Sequence, residues 1–193
     1  MKYNELYTLL KSCICDCLGV DINSGKVREA YQQSDAQQLT IKDDIVITYL
    51  TEKEDSYSHQ RNVSYSDSSN SVIRHHKGTR VWSLHCYCYG PNAYDNADLI
   101  RSKILTHTIK SKLHLNGVAI VPEIPTIVNT PEQAQGQWWT RYDITLVFNE
   151  SYDYTEDVGT IEHINTNIGI AKSPDPATPD KHRATHDMFN TNR

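Results

Sequence analysis

The sequence predicts an α+β fold of two layers, in which a mostly antiparallel sheet carries helices packed on one face. Segments 81–89 and 138–148 each alternate apolar and polar residues, as strands with one solvent-facing side do. A helical apolar period covers residues 93–112 between them, and another covers residues 2–18 before both. A polar second face favours antiparallel pairing, because parallel sheets are usually covered on both faces.

The remaining elements are assigned from the same patterns. Gly19 stands where a C-cap glycine would end the first helix. Residues 26–33 are predicted to form one or two helical turns. Residues 45–50 are β-branched and aromatic and are predicted to form a strand. The first helix is expected to turn one apolar stripe to the core, made of Tyr3, Leu6, Leu10, Cys13 and Cys17.

Residues 51–80 are rich in serine and almost free of large aliphatic residues. Because a structureless insertion of this length is uncommon in a compact domain, we expect a long polar hairpin with its tip near residues 67–70. Such a hairpin cannot form a core of its own, so it either extends into water or rests on another subunit.

The second half of the chain begins with a turn at Gly90-Pro91, which breaks the ladder of the preceding strand. Asn92 is the expected N-cap of the helix that follows, with Asp95 as the acidic member of a capping box. That helix is expected to pack through a stripe of Ala93, Ala97, Ile100, Ile104 and Thr108.

Short and weak patterns complete the chain. Residues 118–121 form a short predicted strand, and residues 158–170 a weakly alternating last one. Three prolines and no apolar period follow, so residues 172–193 are expected to form a flexible arm. The predicted organisation is one domain over residues 1–171 and this arm.

Composition limits the function classes. The 193 residues carry a formal charge of -5, whereas proteins that bind nucleic acid through phosphate contacts usually have a basic surplus. No apolar run is long enough to span a membrane, and the first residues lack the features of a signal peptide.

The cysteines are odd in number and the chain shows no export signal, so we expect reduced thiols and no disulfides. Cys13 and Cys17 share the core side of a helix, and Cys86 and Cys88 share the core side of a strand. The four are interpreted as small apolar core residues, with a metal site or a redox pair as alternatives. No catalytic motif of the common hydrolase, nucleotide-binding or metalloprotease kinds occurs, so no cofactor is predicted.

Two groups of side chains are predicted to contact a subunit or partner. Basic residues at the end of the polar hairpin form either a solvated surface or a contact with an acidic neighbour or nucleic acid. The many tyrosines serve either ordinary packing or an oligomer interface. These candidate residues are Arg74, His75, His76, Lys77, Arg80, His85, Tyr87, Tyr89, Tyr152 and Tyr154.

Two stretches of the sequence carry a resemblance to a known family. Residues 87–100 (YCYGPNAYDNADLI) and residues 138–148 (WWTRYDITLVF) resemble signature segments of the neck or tail terminator proteins of tailed bacteriophages. Tyr152-Asp153-Tyr154 and the segment from Asp157 to Ile164 resemble the end of that family's domain, and the similarity spans about residues 3–165.

The resemblance implies a virion protein that is assembled in the host cytoplasm. It implies a ring, expected to be a hexamer, that caps the tail tube and joins the tail to the head connector or adaptor protein. DNA would pass through the lumen without specific binding, and six copies would carry a formal charge of about −30, which repels phosphate. Neither catalysis nor a membrane is implied.

Three alternatives remain open on the sequence alone. The first is a head-completion or stopper protein of the same connector. The second is a small metal-dependent enzyme with Cys and His ligands, and the third is a DNA-binding module.

Overall fold

The computed structural model describes residues 1–31, 40–68, 71–123, 125–134 and 136–158. Its helices are α1 (Tyr3–Leu18), α2 (Ala93–Lys103) and α3 (His107–His114), and a 3-10 turn covers Ser56–His59. Its strands are β1 (Val27–Glu29), β2 (Ile45–Lys53), β3 (Arg61–Ser68), β4 (Ser71–Tyr89), β5 (Val118–Ile120), β6 (Val128–Asn129), β7 (Glu132–Ala134), β8 (Gln137–Trp139) and β9 (Arg141–Val158).

Two very long strands, β4 and β9, form the centre of the main sheet. The strand order is β1-β2-β4-β9-β5; β3 pairs with β4 beyond the end of β2, and β6 pairs with the start of β9. Every pair is antiparallel except β1 with β2. Strands β7 and β8 form a separate hairpin. The predicted α+β class with a mostly antiparallel sheet is therefore confirmed.

The helices pack on one side of this sheet, which we call the helix face; the opposite side is the outer face. Alternation places Trp82, Leu84, Cys86 and Cys88 of β4 on the helix face, where they are buried with residues of all three helices. The Tyr7 hydroxyl of α1 hydrogen-bonds the Thr48 hydroxyl of β2 at 2.7 Å, so these two buried polar groups satisfy each other.

The sheet continues well beyond the core as a three-stranded projection, which we call the blade. It consists of β3, residues 71–80 of β4 and residues 150–158 of β9. At about 3.3 Å per residue the blade reaches roughly 30 Å past the core. The predicted hairpin tip is confirmed, since Ser68 pairs with Ser71. The predicted 51–80 hairpin is corrected in two respects: residues 51–53 belong to β2, and residues 72–80 also pair with β9.

Two helical predictions are wrong. Residues 27–29 form β1 instead of a helical turn, because they pair in parallel with β2. The helix predicted over 93–112 is two helices, since Thr106 adopts an extended conformation and begins α3. Because of this break, both Ile104 and Ile109 point into the core. On one continuous helix, residues five positions apart would point to different sides. Thr108, which is predicted on the packing stripe, is exposed.

The strand predicted over 138–148 is also interrupted. Residues 137–139 pair with β7, and β9 begins at Arg141 after Thr140. Trp138 is therefore 67% exposed instead of sharing the core side with Ile144, Leu146 and Phe148.

Other predictions of the C-terminal part lie outside the described residues. These are most of the weak strand 158–170, the boundary at residue 171 and the arm 172–193. None of the helices described here is long and apolar enough to cross a membrane.

Candidate assembly surfaces

The helix face of the blade carries a row of stacked side chains. The rings of His76 and Tyr154 lie 4.5 Å apart and nearly parallel, and Tyr154 stacks on Tyr152 at 6.4 Å. The Arg80 guanidinium lies 5.3 Å from the Tyr152 ring and 5.9 Å from that of Trp82. The row thus runs without interruption from the core out along the blade.

Gly78 gives this row its close packing. A Cβ atom at that position would lie only 2.4 Å from the Tyr152 hydroxyl, so the tyrosine ring lies directly against the glycine backbone. Gly78 and Tyr152 are also direct partners in the β4–β9 register. A glycine that would weaken an ordinary strand is here covered by the aromatic ring across from it.

The basic cluster predicted at the hairpin base is not a free cationic patch. All but one of its basic residues lie within 4.0 Å of a carboxylate on the neighbouring strand β9, and His75 instead hydrogen-bonds Ser66 at 2.8 Å. The pairs are Arg74–Glu156 at 3.9 Å, His76–Glu156 at 3.2 Å, Lys77–Asp153 at 3.5 Å and Arg80–Glu150 at 3.3 Å.

Glu150 anchors the base of the blade. Its side chain is only 1% exposed, and a buried carboxylate must be paired and hydrogen-bonded. The Trp82 indole N–H donates to Oε2 at 2.9 Å, Nη2 of Arg80 donates to Oε1 at 3.4 Å, and the Met1 amine lies 2.9 Å from Oε1. The carboxylate is thereby satisfied where the core ends.

A second row crosses the outer face of the sheet. Tyr31 packs edge-on against Tyr49 at 5.6 Å, Tyr49 stacks on His85 at 6.2 Å, and His85 stacks on Tyr87 at 6.4 Å. The Arg141 guanidinium continues the row 4.3 Å from the Tyr87 ring. Tyrosines such as these, which range from partly buried to largely exposed, combine apolar area with a hydroxyl, which suits a surface that meets protein.

His85 is held in the middle of this row by contacts on both ring nitrogens. Its Nδ1 lies 3.0 Å from the Thr145 hydroxyl and its Nε2 lies 3.3 Å from that of Thr51. Burial lowers the pKa of His85 against the smaller opposing effect of Asp143. The contacts are those of a packed side chain that orders the row.

Arg141 fastens the β7–β8 hairpin to the outer face. It donates to both carboxylate oxygens of Asp143, at 2.7 and 2.8 Å, and to Glu132 of the hairpin at 2.7 Å. Glu132 also accepts from the Tyr89 hydroxyl at 3.1 Å, and Trp139 packs edge-on against Tyr89. These charge-assisted bonds raise the pKa of Arg141 despite its partial burial.

With these surfaces defined, the family comparison identifies the class of protein. The family model for phage neck terminator proteins matches residues 4–173. The chain belongs to this family. It is therefore a protein of the virion neck, and the predicted resemblance is confirmed. A search of curated proteins finds no match to the chain.

The ten predicted contact residues of this neck terminator divide between the two faces. Alternation along β4 and β9 brings one half to the helix face of the blade and the other to the outer face. Their role in contacts stays a prediction. The helix-face group is Arg74, His76, Arg80, Tyr152 and Tyr154, and the outer-face group is His75, Lys77, His85, Tyr87 and Tyr89.

Sequence reasoning missed six residues of these surfaces and of the β7–β8 hairpin. The spacing of Arg141 and Asp143, two positions apart on one predicted strand, could have indicated their ion pair. Glu132 contributes only because β7 pairs with β8, and no local sequence pattern predicts that hairpin. The six are Tyr31, Tyr49, Glu132, Trp138, Arg141 and Asp143.

Four cysteines of this neck terminator, Cys13, Cys17, Cys86 and Cys88, lie in the core as predicted, and Cys15, which is not among the predicted core residues, is buried there too. All five are buried, and burial raises the pKa of Cys13 to about 11 and those of Cys17 and Cys88 to about 12. Within the described ranges, no three His, Cys, Asp or Glu residues form a group that could hold a metal ion.

Proposed function

We propose that this chain closes into a ring, of six copies, that caps the head-proximal end of the tail tube and joins the tail to the head connector. Its contribution is geometric, without catalysis. Assembly takes place in the host cytoplasm, and DNA passes through the lumen. The observation that carries this proposal is the family match over residues 4–173.

The blade supports an assembly role. It projects roughly 30 Å past the core, and none of the core cluster lies in it. Four of its basic side chains are paired with carboxylates within the subunit, and its surface also presents large aromatic side chains, such as Tyr65 at 62% and Tyr154 at 50% exposure. Tyrosine and arginine are enriched where protein interfaces draw their affinity. We propose that the blade and residues 172–193 reach a neighbouring subunit or the next ring.

Electron microscopy of the purified protein, alone and mixed with purified tails of its phage, tests this function. We expect closed rings with a central hole and one such ring at a single end of each tail. Binding to the portal or adaptor but not to tail ends would instead identify a head-completion or stopper protein. A chain that remains monomeric both alone and with tails would contradict the ring.

The role of the blade has its own test. Tyr65→Ser with Tyr154→Ser should weaken docking to tails strongly and should lower the unfolding midpoint only modestly, because Tyr154 also stacks on His76 and Tyr152 but is half-exposed. Tyr57→Ser, at a tyrosine 59% exposed but outside the blade strands, is the matched control and should dock normally.

A further inference from the structure

Trp138 is an exposed anchor on a fixed support. Its side chain is 67% exposed on the β7–β8 hairpin. The adjacent Trp139 of the same strand donates its indole N–H to the Ala134 carbonyl of β7 at 3.3 Å. Arg141 holds Glu132 at the base of the same hairpin at 2.7 Å. A large aromatic side chain that is presented rigidly loses little conformational entropy on binding. Tryptophan is also the residue type most enriched among the anchors of protein interfaces.

An apolar groove lies elsewhere on the same chain, between α3 and β5. Its volume is about 610 Å³, and its floor includes Val118, Ile120 and Pro122. Leu115 at its border is 85% exposed, so the apolar surface of the groove continues onto this side chain. The groove therefore has the size and lining to receive one aromatic side chain.

The rim of the groove complements the hairpin chemically. Lys110, Ser111 and His114 line it, and no carboxylate occurs among the lining residues that the structure describes. The ammonium group suits the face of an indole ring, and the hydroxyl or imidazole can accept the indole N–H. The hairpin's single ionised side chain is Glu132, opposite in charge to Lys110.

We propose that Trp138 of one copy inserts into the α3–β5 groove of a second copy. Trp138 precedes the start of β9, whereas β5 pairs with residues 148–150 of that strand, roughly 25 Å away along it. A tryptophan on a fastened hairpin does not reach the groove of its own subunit. The two patches differ, so the contact is head-to-tail, the type that closes rings. The inference rests on the proposed ring and assigns its subunit contact.

Single variants test each side of the contact. Trp138→Ala and Leu115→Lys change exposed side chains, so both proteins should keep the wild-type unfolding midpoint. We expect each to weaken self-association by about tenfold or more in sedimentation velocity, because truncation of an interface anchor costs that much. Tyr57→Ala, which removes a similarly exposed ring elsewhere, is the control and should associate as wild type does.

A mixture of the two variants tests whether these residues meet each other. A Trp138→Ala subunit keeps its groove, and a Leu115→Lys subunit keeps its tryptophan. In the mixture, the tryptophan of a Leu115→Lys subunit can therefore enter the groove of a Trp138→Ala subunit, but no further contact can form. The mixture should give 1:1 heterodimers but no rings. Failure to form heterodimers, when both single variants are monomeric, would overturn the pairing of Trp138 with this groove.

The remaining outcomes separate this inference from the proposed function. Wild-type rings that persist in either variant would overturn the contact and leave the ring standing. Association lost in Trp138→Ala but kept in Leu115→Lys would mean that another surface receives the tryptophan, and would also overturn it. A wild-type chain that is monomeric alone and with tails would remove the ring and the contact together.

Discussion

Gly90 is the residue at which β4 ends and the chain turns toward α2. Its φ is 101°, and a Cβ there would lie 2.5 Å from the Asp43 carbonyl oxygen and 2.6 Å from a carboxylate oxygen of Asp44. Asp44 in turn accepts the backbone N–H of Asn92 at 2.9 Å and its side-chain amide. The asparagine thus begins α2 without capping it by its side chain, contrary to the predicted capping box.

Substitution of Gly90 by alanine should be costly for two reasons, the left-handed backbone and the clash with Asp43. We expect a loss of about 2–4 kcal/mol in the free energy of unfolding, measured by urea denaturation. Gly19→Ala is the control, because Gly19 has a φ of 68° but open space around a Cβ, and should cost about 1 kcal/mol. Equal losses at the two positions would show that the close approach does not matter.

The buried thiols make a second prediction at this scale. In the unfolded chain a cysteine titrates near pH 9, whereas the pKa of Cys13 in the fold is about 11 and those of Cys17 and Cys88 are about 12. The folded state therefore holds these protons to higher pH, so the contribution of the thiols to the free energy of unfolding should be constant well below pH 9 and should fall as the pH rises toward 11–12.

Urea titrations at pH 8 and pH 10 check this, with a lower midpoint expected at pH 10. At pH 8 a thiol reagent should label none of the five cysteines in native protein and all five in urea. Rapid labelling of the native chain at pH 8 would show that the core thiols are accessible.

At the scale of elements, the β7–β8 hairpin depends on one guanidinium. Arg141→Lys keeps the charge but loses the paired bonds to Asp143 and the planar stacking on Tyr87. We expect a loss of about 1–3 kcal/mol and faster hydrogen exchange at residues 132–139. Arg101→Lys, in a partly exposed pair with Asp98 on α2, should change neither. Unchanged exchange in Arg141→Lys would mean that pairing of β7 with β8 alone secures the hairpin.

Sequence alone predicts those elements whose pattern is local. The strand at residues 45–50 is found because its residues are β-branched and aromatic, and the core half of β4 because an apolar side chain recurs at every second position. The blade is found only as a hairpin, because its third strand brings Tyr154 to His76 across 78 positions of sequence without an apolar pattern. β1 is missed because its pairing with β2 is long-range.

The same distinction holds for the assembly surfaces. Tyr87 and Tyr89 are predicted because they alternate with core cysteines, but Tyr31 joins the outer-face row through a tertiary contact with Tyr49. The basic cluster is visible in the sequence, whereas its neutralisation depends on the β4–β9 register. A register is set by the whole sheet, and no single segment encodes it.

For the whole molecule, paired charges predict weak binding to polyanions. With a formal charge of -5 and four of the blade's basic side chains beside carboxylates, wild type should elute from heparin at about 0.1 M salt or below. The double variant Asp153→Asn, Glu156→Gln leaves Lys77 and Arg74 without these partners and should elute later. Strong retention of wild type would favour a DNA-binding role instead.

Removal of residues 172–193 makes another prediction at this scale, and it rests on the proposed function. The truncated chain should unfold at nearly the wild-type midpoint, because the described core cluster involves no residue beyond Phe148. Its docking to tails should be weaker, as measured by the fraction of capped tails in micrographs. A truncated chain that fails to fold, or one that docks normally, would contradict this division of roles.

Strand β4 has a mechanical consequence. It runs for 19 residues from the blade tip to Gly90, and its register with β9 is unbroken over residues 72–89. A load applied along the strand at the tip would act on many interstrand hydrogen bonds at once, since they lie perpendicular to its axis. The blade should then resist tension along β4, because the β4–β9 pairing has no break at which it could separate before the core does.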